Sequence, residues 1–332
     1  MRKRRVLILL LCALLALGLA GCGGGETPSG SGDAAPAEGE TLTVVATIFP
    51  AYDWIRNLVG DVENVDVRLL CGDGTDLHSF QPSAADIVTI ASADLFVYVG
   101  GESDAWVAEA LAGTGGEGQQ AIALLDALGG GALEEETVEG MEGEEEEESG
   151  EEAPEYDEHV WLSLKNAKQL CTEIDGALQA LDPANAEAYQ ANLEGYLDQL
   201  DALDGQYETA VKEGRVKTLL FADRFPFRYL TEDYGLDYYA AFSGCSAETE
   251  ASFETVAFLA KKTEELDLGA VLTIETGDGK LAQTVVDAAG SGKQKILTLD
   301  SMQAVTAEEA AAGATYLDIM EQNLAALKEA LS

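Results

Sequence analysis

The stretch Cys71-Gly72-Asp73-Gly74-Thr75-Asp76-Leu77-His78-Ser79-Phe80-Gln81-Pro82 decides how the chain reads. Before it, the apolar run 65–70 predicts a strand. After it, residues 83–91 carry apolar side chains at helical spacing. Gly72 and Gly74 permit a tight reversal, and Pro82 suits the first turn of the next helix. A strand that turns into a helix is the unit of an α/β fold, and ligand-binding groups sit on loops of that kind. His78 is delivered to this loop. The chain has two histidines, and the second, His159, lies in Tyr156-Asp157-Glu158-His159-Val160-Trp161. Two imidazoles, each in a loop flanked by acids, point to a metal site.

The same alternation runs outward in both directions. Strands are predicted over 42–48, 94–99, 217–222, 237–241, 269–274 and 295–299. Helices are predicted over 51–59, 104–111, 162–181, 253–265, 280–289 and 308–331. The pattern predicts parallel sheets covered by helices. Between the halves, Asp182-Pro183-Ala184-Asn185 starts a helix whose Tyr189, Leu193, Tyr196, Leu197, Leu200, Leu203 and Tyr207 follow a 3.6-residue period. Some 30 residues would span about 45 Å, enough to join two lobes.

A formal charge of −42 excludes nucleic acid, whose phosphates call for Lys and Arg, and also an anionic surface or substrate. A cation is the natural small partner of such a field. Much of the charge is concentrated at 134–158, where 15 of 25 residues are acidic. That run is expected to be a mobile loop, either a solvated insertion or a weak cation collector leading to His159. The basic residues 1–5, the apolar stretch 6–19 and Leu19-Ala20-Gly21-Cys22 resemble a lipoprotein signal. The expected organisation is a signal peptide (1–21) followed by a flexible tether (22–41) with lipidation at Cys22. An N-terminal α/β lobe (42–181), a linking helix (182–214) and a C-terminal α/β lobe (215–332) follow. The other reading of the leader is an ordinary secretory signal.

Zinc takes four ligands drawn from Cys, His and carboxylate, while manganese accepts more oxygen. His78 and His159 offer two nitrogens, and Asp223 and Asp300 are candidate oxygens at the carboxyl ends of strands. Cys71, Cys171 and Cys245 lack CxxC spacing and are not read as a zinc-thiolate site. Cys171 is expected to be buried and Cys245 more open, and a disulfide among the three is left undecided. There is no HExxH, GxSxG or P-loop signature, so catalysis is not expected.

These residues resemble a family. Val45-Ala46-Thr47-Ile48-Phe49-Pro50, Asp76-Leu77-His78-Ser79-Phe80-Gln81-Pro82-Ser83, Ala93-Asp94-Leu95-Phe96-Val97-Tyr98-Val99-Gly100-Gly101 and Asp157-Glu158-His159-Val160-Trp161-Leu162 look like the cluster A-I (ZnuA-like) solute-binding lipoproteins of zinc and manganese ABC transporters. The resemblance runs from Leu42 to the C-terminus. It implies two α/β lobes with mostly parallel sheets, bridged by one long rigid helix, and a metal held in the cleft between them. It also implies an extracytoplasmic monomer, anchored by lipid to the bacterial membrane, that delivers Zn(II) to a permease and its ATPase. The alternatives are a manganese-binding member, with Mn(II) as cargo, or a surface adhesion lipoprotein that holds metal.

The implied ligands are His78, His159 and Asp300. For the third ligand the family places a His or Glu just after the first strand of the second lobe. An ungapped match there lands on Arg224, which cannot ligate a cation. The residue before it, Asp223, is the expected donor, with Glu248, Glu250 and Glu275 as alternatives. Arg224 would then pair with a nearby carboxylate.

Overall fold

Runs of apolar residues too short for helices form strands that are buried by helices packed over them. The computed structural model describes residues 41–114, 118–142, 155–246 and 250–332. The expected leader with Cys22, the tether through residue 40, residues 143–154 of the acidic run, and Glu248 lie outside these. In the first half, β1 (Leu42–Ala46), β2 (Val65–Leu69), β3 (Leu95–Tyr98) and β4 (Gln120–Ala123) form a parallel sheet in the order β2-β1-β3-β4. In the second half, β5 (Thr218–Phe225), β6 (Asp237–Ser243), β7 (Ala270–Ile274) and β8 (Lys295–Leu299) are also parallel, in the order β6-β5-β7-β8. The two sheets therefore share one topology, although no repeat is visible in the sequence. Every residue of β7 is buried, the signature of a parallel strand covered on both faces.

The intervening helices are α1 (Phe49–Val59), α2 (Ala84–Ala91), α3 (Val107–Thr114), α4 (Leu124–Leu128), α5 (Leu164–Leu181), α6 (Ala186–Glu213), α7 (Arg228–Tyr234), α8 (Phe253–Glu265), α9 (Lys280–Ala288), α10 (Ala307–Ala312) and α11 (Tyr316–Ala330). Of the 28 residues of α6, Tyr189, Leu193, Tyr196, Leu200, Leu203, Tyr207 and Val211 are buried on one stripe. That stripe packs on α1 and α5 from the first half and on α11 from the second. One apolar cluster runs through both halves. Polar bonds reinforce the junction: Asn192 Nδ2 donates to Leu58 O (2.9 Å) and Tyr207 Oη to Met320 O (2.7 Å). Trp161 Nε1 donates to Ser301 O (2.8 Å), and Tyr316 Oη donates to Trp161 O (2.6 Å). Among the described residues no helix is long and apolar enough to cross a membrane.

Three local differences from the sequence expectation matter. First, β4, α4 and α7 were not foreseen. Second, the single helix expected over 308–331 is two helices. Gly313 ends α10 in the left-handed region at φ +106°, and Thr315 starts α11 by accepting from Asp318 N–H. Third, β5 runs on through an irregular register between Phe221 and Arg224, ending at Phe225. Asp223 and Arg224 thus lie inside the strand rather than in a loop beyond it. The acidic run is anchored at both described ends. Glu134 pairs with Tyr156, Glu142 pairs with Phe242, and Arg228 binds Glu136.

Candidate metal centre

The chain leaving β2 is held to β1 and its following turn by Leu70 N–H and Cys71 N–H, which donate to Ala46 O and Thr47 O. Gly72 O then accepts from Ala307 N–H at 2.8 Å, docking this loop on α10. Asp76 starts a single 3₁₀ turn, Leu77–Ser79, by accepting from His78 N–H at 3.0 Å. The following helix, α2, opens with a reciprocal capping box between Ser83 and Asp86. His159 has a parallel setting. It precedes the 3₁₀ turn Val160–Leu162, and Asp157 Oδ1 accepts from its N–H at 2.9 Å. In each loop an acid two residues before the histidine fixes the backbone that presents the ring.

The rings meet edge to edge. His78 Nε2 and His159 Nε2 are 3.1 Å apart, and each Nδ1 is engaged elsewhere. His159 Nδ1 lies 3.1 Å from Asp157 Oδ1, so the carboxylate requires the Nδ1–H tautomer. His78 Nδ1 lies 2.7 Å from Ser103 Oγ and 3.6 Å from Glu158 Oε2. Glu158 is itself placed by Ser103 N–H, which donates to Oε1 at 2.9 Å. Gly101 makes room for it at φ +79°, where an added Cβ would lie 2.4 Å from Glu158 Oε1. The two Nε2 atoms therefore face one point, and with both rings neutral and protonated at Nδ1 their lone pairs repel there unless a proton or metal ion lies between them. Two imidazoles on a tetrahedral zinc, with Zn–N of about 2.0–2.1 Å, have nitrogens about 3.3 Å apart, close to what is found here.

The electrostatics suit a cation. Burial, and then the neighbouring His159 charge, pushes His78 down to about 3, so its ring is neutral near pH 7. Burial also pushes His159 down, but the Asp157 and Glu158 carboxylates outweigh it and hold that ring above its usual value. The pair accommodates one proton, and that proton competes with a metal.

The other expected ligands are placed differently. Among the described residues the one group of three ligand-type side chains with donor atoms within 4.8 Å of one another is His78, His159 and Cys245. Asp223 is not in it. Its Oδ1 accepts from Arg224 N–H (2.9 Å) and its Oδ2 from Ile274 N–H (3.2 Å), so it ties β5 to β7. Arg224 pairs with a carboxylate as expected, and the partner is Asp76, at 2.7 Å. Asp300 is also outside the group. It follows β8 and accepts from Met302 N–H at 2.7 Å, and burial followed by the charge of Glu275 pushes its carboxyl up to about 6. Glu275 braces that loop by accepting from Ser301 N–H, Ser301 Oγ–H and Gln303 N–H. Glu250 is exposed.

Cys245 is the member of this group that the sequence does not mark, since the cysteines lack CxxC spacing. It follows β6, and all three described cysteines are free. Spacing along the chain says nothing about a donor-type side chain brought in from the other sheet. A Gly-Cys pair just after a strand, Gly244-Cys245 beyond β6, is the signal that the sequence offers for it.

A family model described as zinc-uptake complex component A, periplasmic, matches residues 44–330. The high-affinity zinc uptake system protein ZnuA of Bacillus subtilis is 33% identical over 324 residues, covering 98% of this chain and 96% of that protein. The zinc-binding lipoprotein AdcA of Streptococcus pneumoniae is 32% identical over 323 residues, 97% of this chain, which spans only 60% of AdcA. The crystal structure of the Zn(II)-bound ZnuA-like domain of that AdcA superposes with a TM-score of 0.68 at 29% identity, covering 88% of this chain and 99% of the domain.

Proposed function

The chain belongs to the zinc-uptake complex component A family of ABC-transporter substrate-binding proteins, and from that premise we propose that it captures extracytoplasmic Zn(II) between its two sheets and delivers it to a permease and its ATPase. The observation that carries this reading is the convergence of two Nε2 atoms at 3.1 Å, each with its Nδ1 committed to an outer partner. Outer partners of this kind orient metal-bound imidazoles and raise their basicity. Asp300 is the proposed oxygen donor on the second sheet, because a buried carboxyl whose proton is held up to about 6 gains by meeting a dication. Asp223, with both oxygens taken by backbone N–H groups, is assigned to the sheet instead. Lipidation at Cys22 and action as a monomer complete the proposal.

The relatives are named for zinc binding and zinc uptake, not for turnover, and a receptor needs no catalytic group. Zinc is favoured over manganese because imidazole nitrogens dominate the assembled donors. The test is competition of purified protein against a chelating dye with Zn(II) and Mn(II), alongside growth of a deletion strain in chelated medium. Tight zinc binding that is lost in the His78→Ala, His159→Ala double variant, with growth rescued by added zinc, is the expected outcome. Unchanged binding in the double variant would refute the site, and unimpaired growth would refute the transport role.

A further inference from the structure

We infer that Cys245 is the third protein ligand of this centre, binding Zn(II) through a thiolate beside the Nε2 atoms of His78 and His159, and that its sulfur sets the site against Mn(II). The inference rests on the proposed zinc-binding reading and adds a donor to it.

Geometry carries it. The donor atoms of Cys245 and the two histidines lie within 4.8 Å of one another. A tetrahedral zinc with Zn–S near 2.3 Å and Zn–N near 2.0–2.1 Å needs sulfur and nitrogen roughly 3.6 Å apart, within reach of a small side-chain movement. The backbone is built for this approach. Gly244 passes directly over the His159 ring, where a Cβ would lie 3.0 Å from Cε1 and 2.9 Å from Phe225 O. A residue with a side chain would push the turn, and Cys245 with it, away from the imidazoles.

Arg224 holds the other side. Its Nη1 donates to Ser246 O at 3.4 Å and its Nη2 to Asp76 Oδ2 at 2.7 Å. One guanidinium thus ties the residue after Cys245 to the residue that caps the His78 turn. Cys245 is partly buried beside the two rings, whereas Cys71 and Cys171 are buried and outside the group. On binding, the S–H bond breaks, sulfur donates its pair to Zn(II), and the proton leaves to solvent. Thiolate with two imidazoles suits zinc; manganese, which prefers oxygen and stands lowest in intrinsic affinity, is disfavoured.

The experiment uses Co(II) and Zn(II) on the purified protein. Expected are a thiolate-to-cobalt charge-transfer band in the wild type, its absence in Cys245→Ser, and retention in a Cys71→Ser control. In the wild type, zinc should protect Cys245 from alkylation, read by mass spectrometry, which needs no variant to fold. Zinc affinity of Cys245→Ser should fall by more than the roughly 10–100-fold that losing an outer partner costs. A wild type that takes up cobalt without the band, and whose Cys245 stays equally reactive with zinc bound, overturns the inference while leaving the zinc-binding reading intact. A wild type that binds neither ion overturns both.

Discussion

Substituting Asp157→Asn removes one charge from behind the centre while preserving shape. Asp157 Oδ1 accepts from both His159 N–H (2.9 Å) and Nδ1–H (3.1 Å), and its side chain is buried with the ring. The amide oxygen can keep both bonds, so the fold should hold, but the anion that makes Nε2 a stronger donor is gone. Loss of such a partner weakens metal binding about 10–100-fold, or roughly 1.4–2.7 kcal/mol. A second readout separates this from general damage. In the wild type the carboxylates hold His159 above its usual value, so a proton competes for Nε2 below that raised pKa and zinc binding weakens as pH falls. In Asp157→Asn the largest upward influence is lost while burial still pushes down, so this break moves to lower pH. The affinity gap between the two proteins should therefore narrow on acidification. Dye competition over about pH 5–8, the range in which histidine charge changes, reads both effects. Equal affinity near neutrality with superimposable pH profiles would refute the claim that Asp157 orients and charges the ring.

Gly101→Ala forces a Cβ to within 2.4 Å of Glu158 Oε1 at φ +79°. Left-handed strain of about 1–2 kcal/mol plus a lost charged hydrogen bond of about 1.5–3 kcal/mol should lower stability by roughly 2.5–5 kcal/mol in urea unfolding; a loss below 0.5 kcal/mol, about the size of an ordinary surface change, would contradict that packing. Asp300 has a folded pKa of about 6 against a reference of 3.8, so the folded state holds more protons in that window and metal-free stability falls as pH rises through it. Asp300→Asn should then stabilise the metal-free protein at pH 7, by about 1–2 kcal/mol after discounting for solvent screening, and weaken zinc binding; a lower melting temperature without metal would refute the sign. Cys245→Asp exchanges sulfur for oxygen and should narrow the preference for zinc over manganese by at least about tenfold in paired titrations; an unchanged ratio would mean that the sulfur does not set selectivity.

The parts of this protein that could be read from sequence were those whose physics is local. The glycine turns around His78, the apolar strands and the long stripe of α6 each carry their signal within a few turns of chain, and they correspond to the strands and helices of the structure. β4 escaped because Gln-Ala-Ile-Ala is short and only its last residue is buried, so it has neither alternation nor a solid apolar run; its partner β3 makes it a strand. α7 escaped because it follows Pro226 and an aromatic-rich strand, and its buried Tyr229, Leu230 and Thr231 show no helical period by themselves. The centre divides in the same way. His78 and His159 are marked by their own flanking acids, which cap the turns that hold them. The placements of Asp223 and Cys245 are decided by distant neighbours. Asp223 looked like a loop donor until β5 extended past it and Ile274 N–H claimed its carboxylate. Cys245 carries no ligand spacing of its own, and Gly244 and Arg224 bring it, from the second sheet, beside two rings carried by the first half of the chain. Chain spacing records a ligand set only when the ligands share one turn or hairpin. When a centre draws on loops of two sheets, the better sequence signal is any donor just beyond a strand with a glycine beside it, because close approach of backbone to a metal-binding ring needs a missing side chain as much as a present ligand.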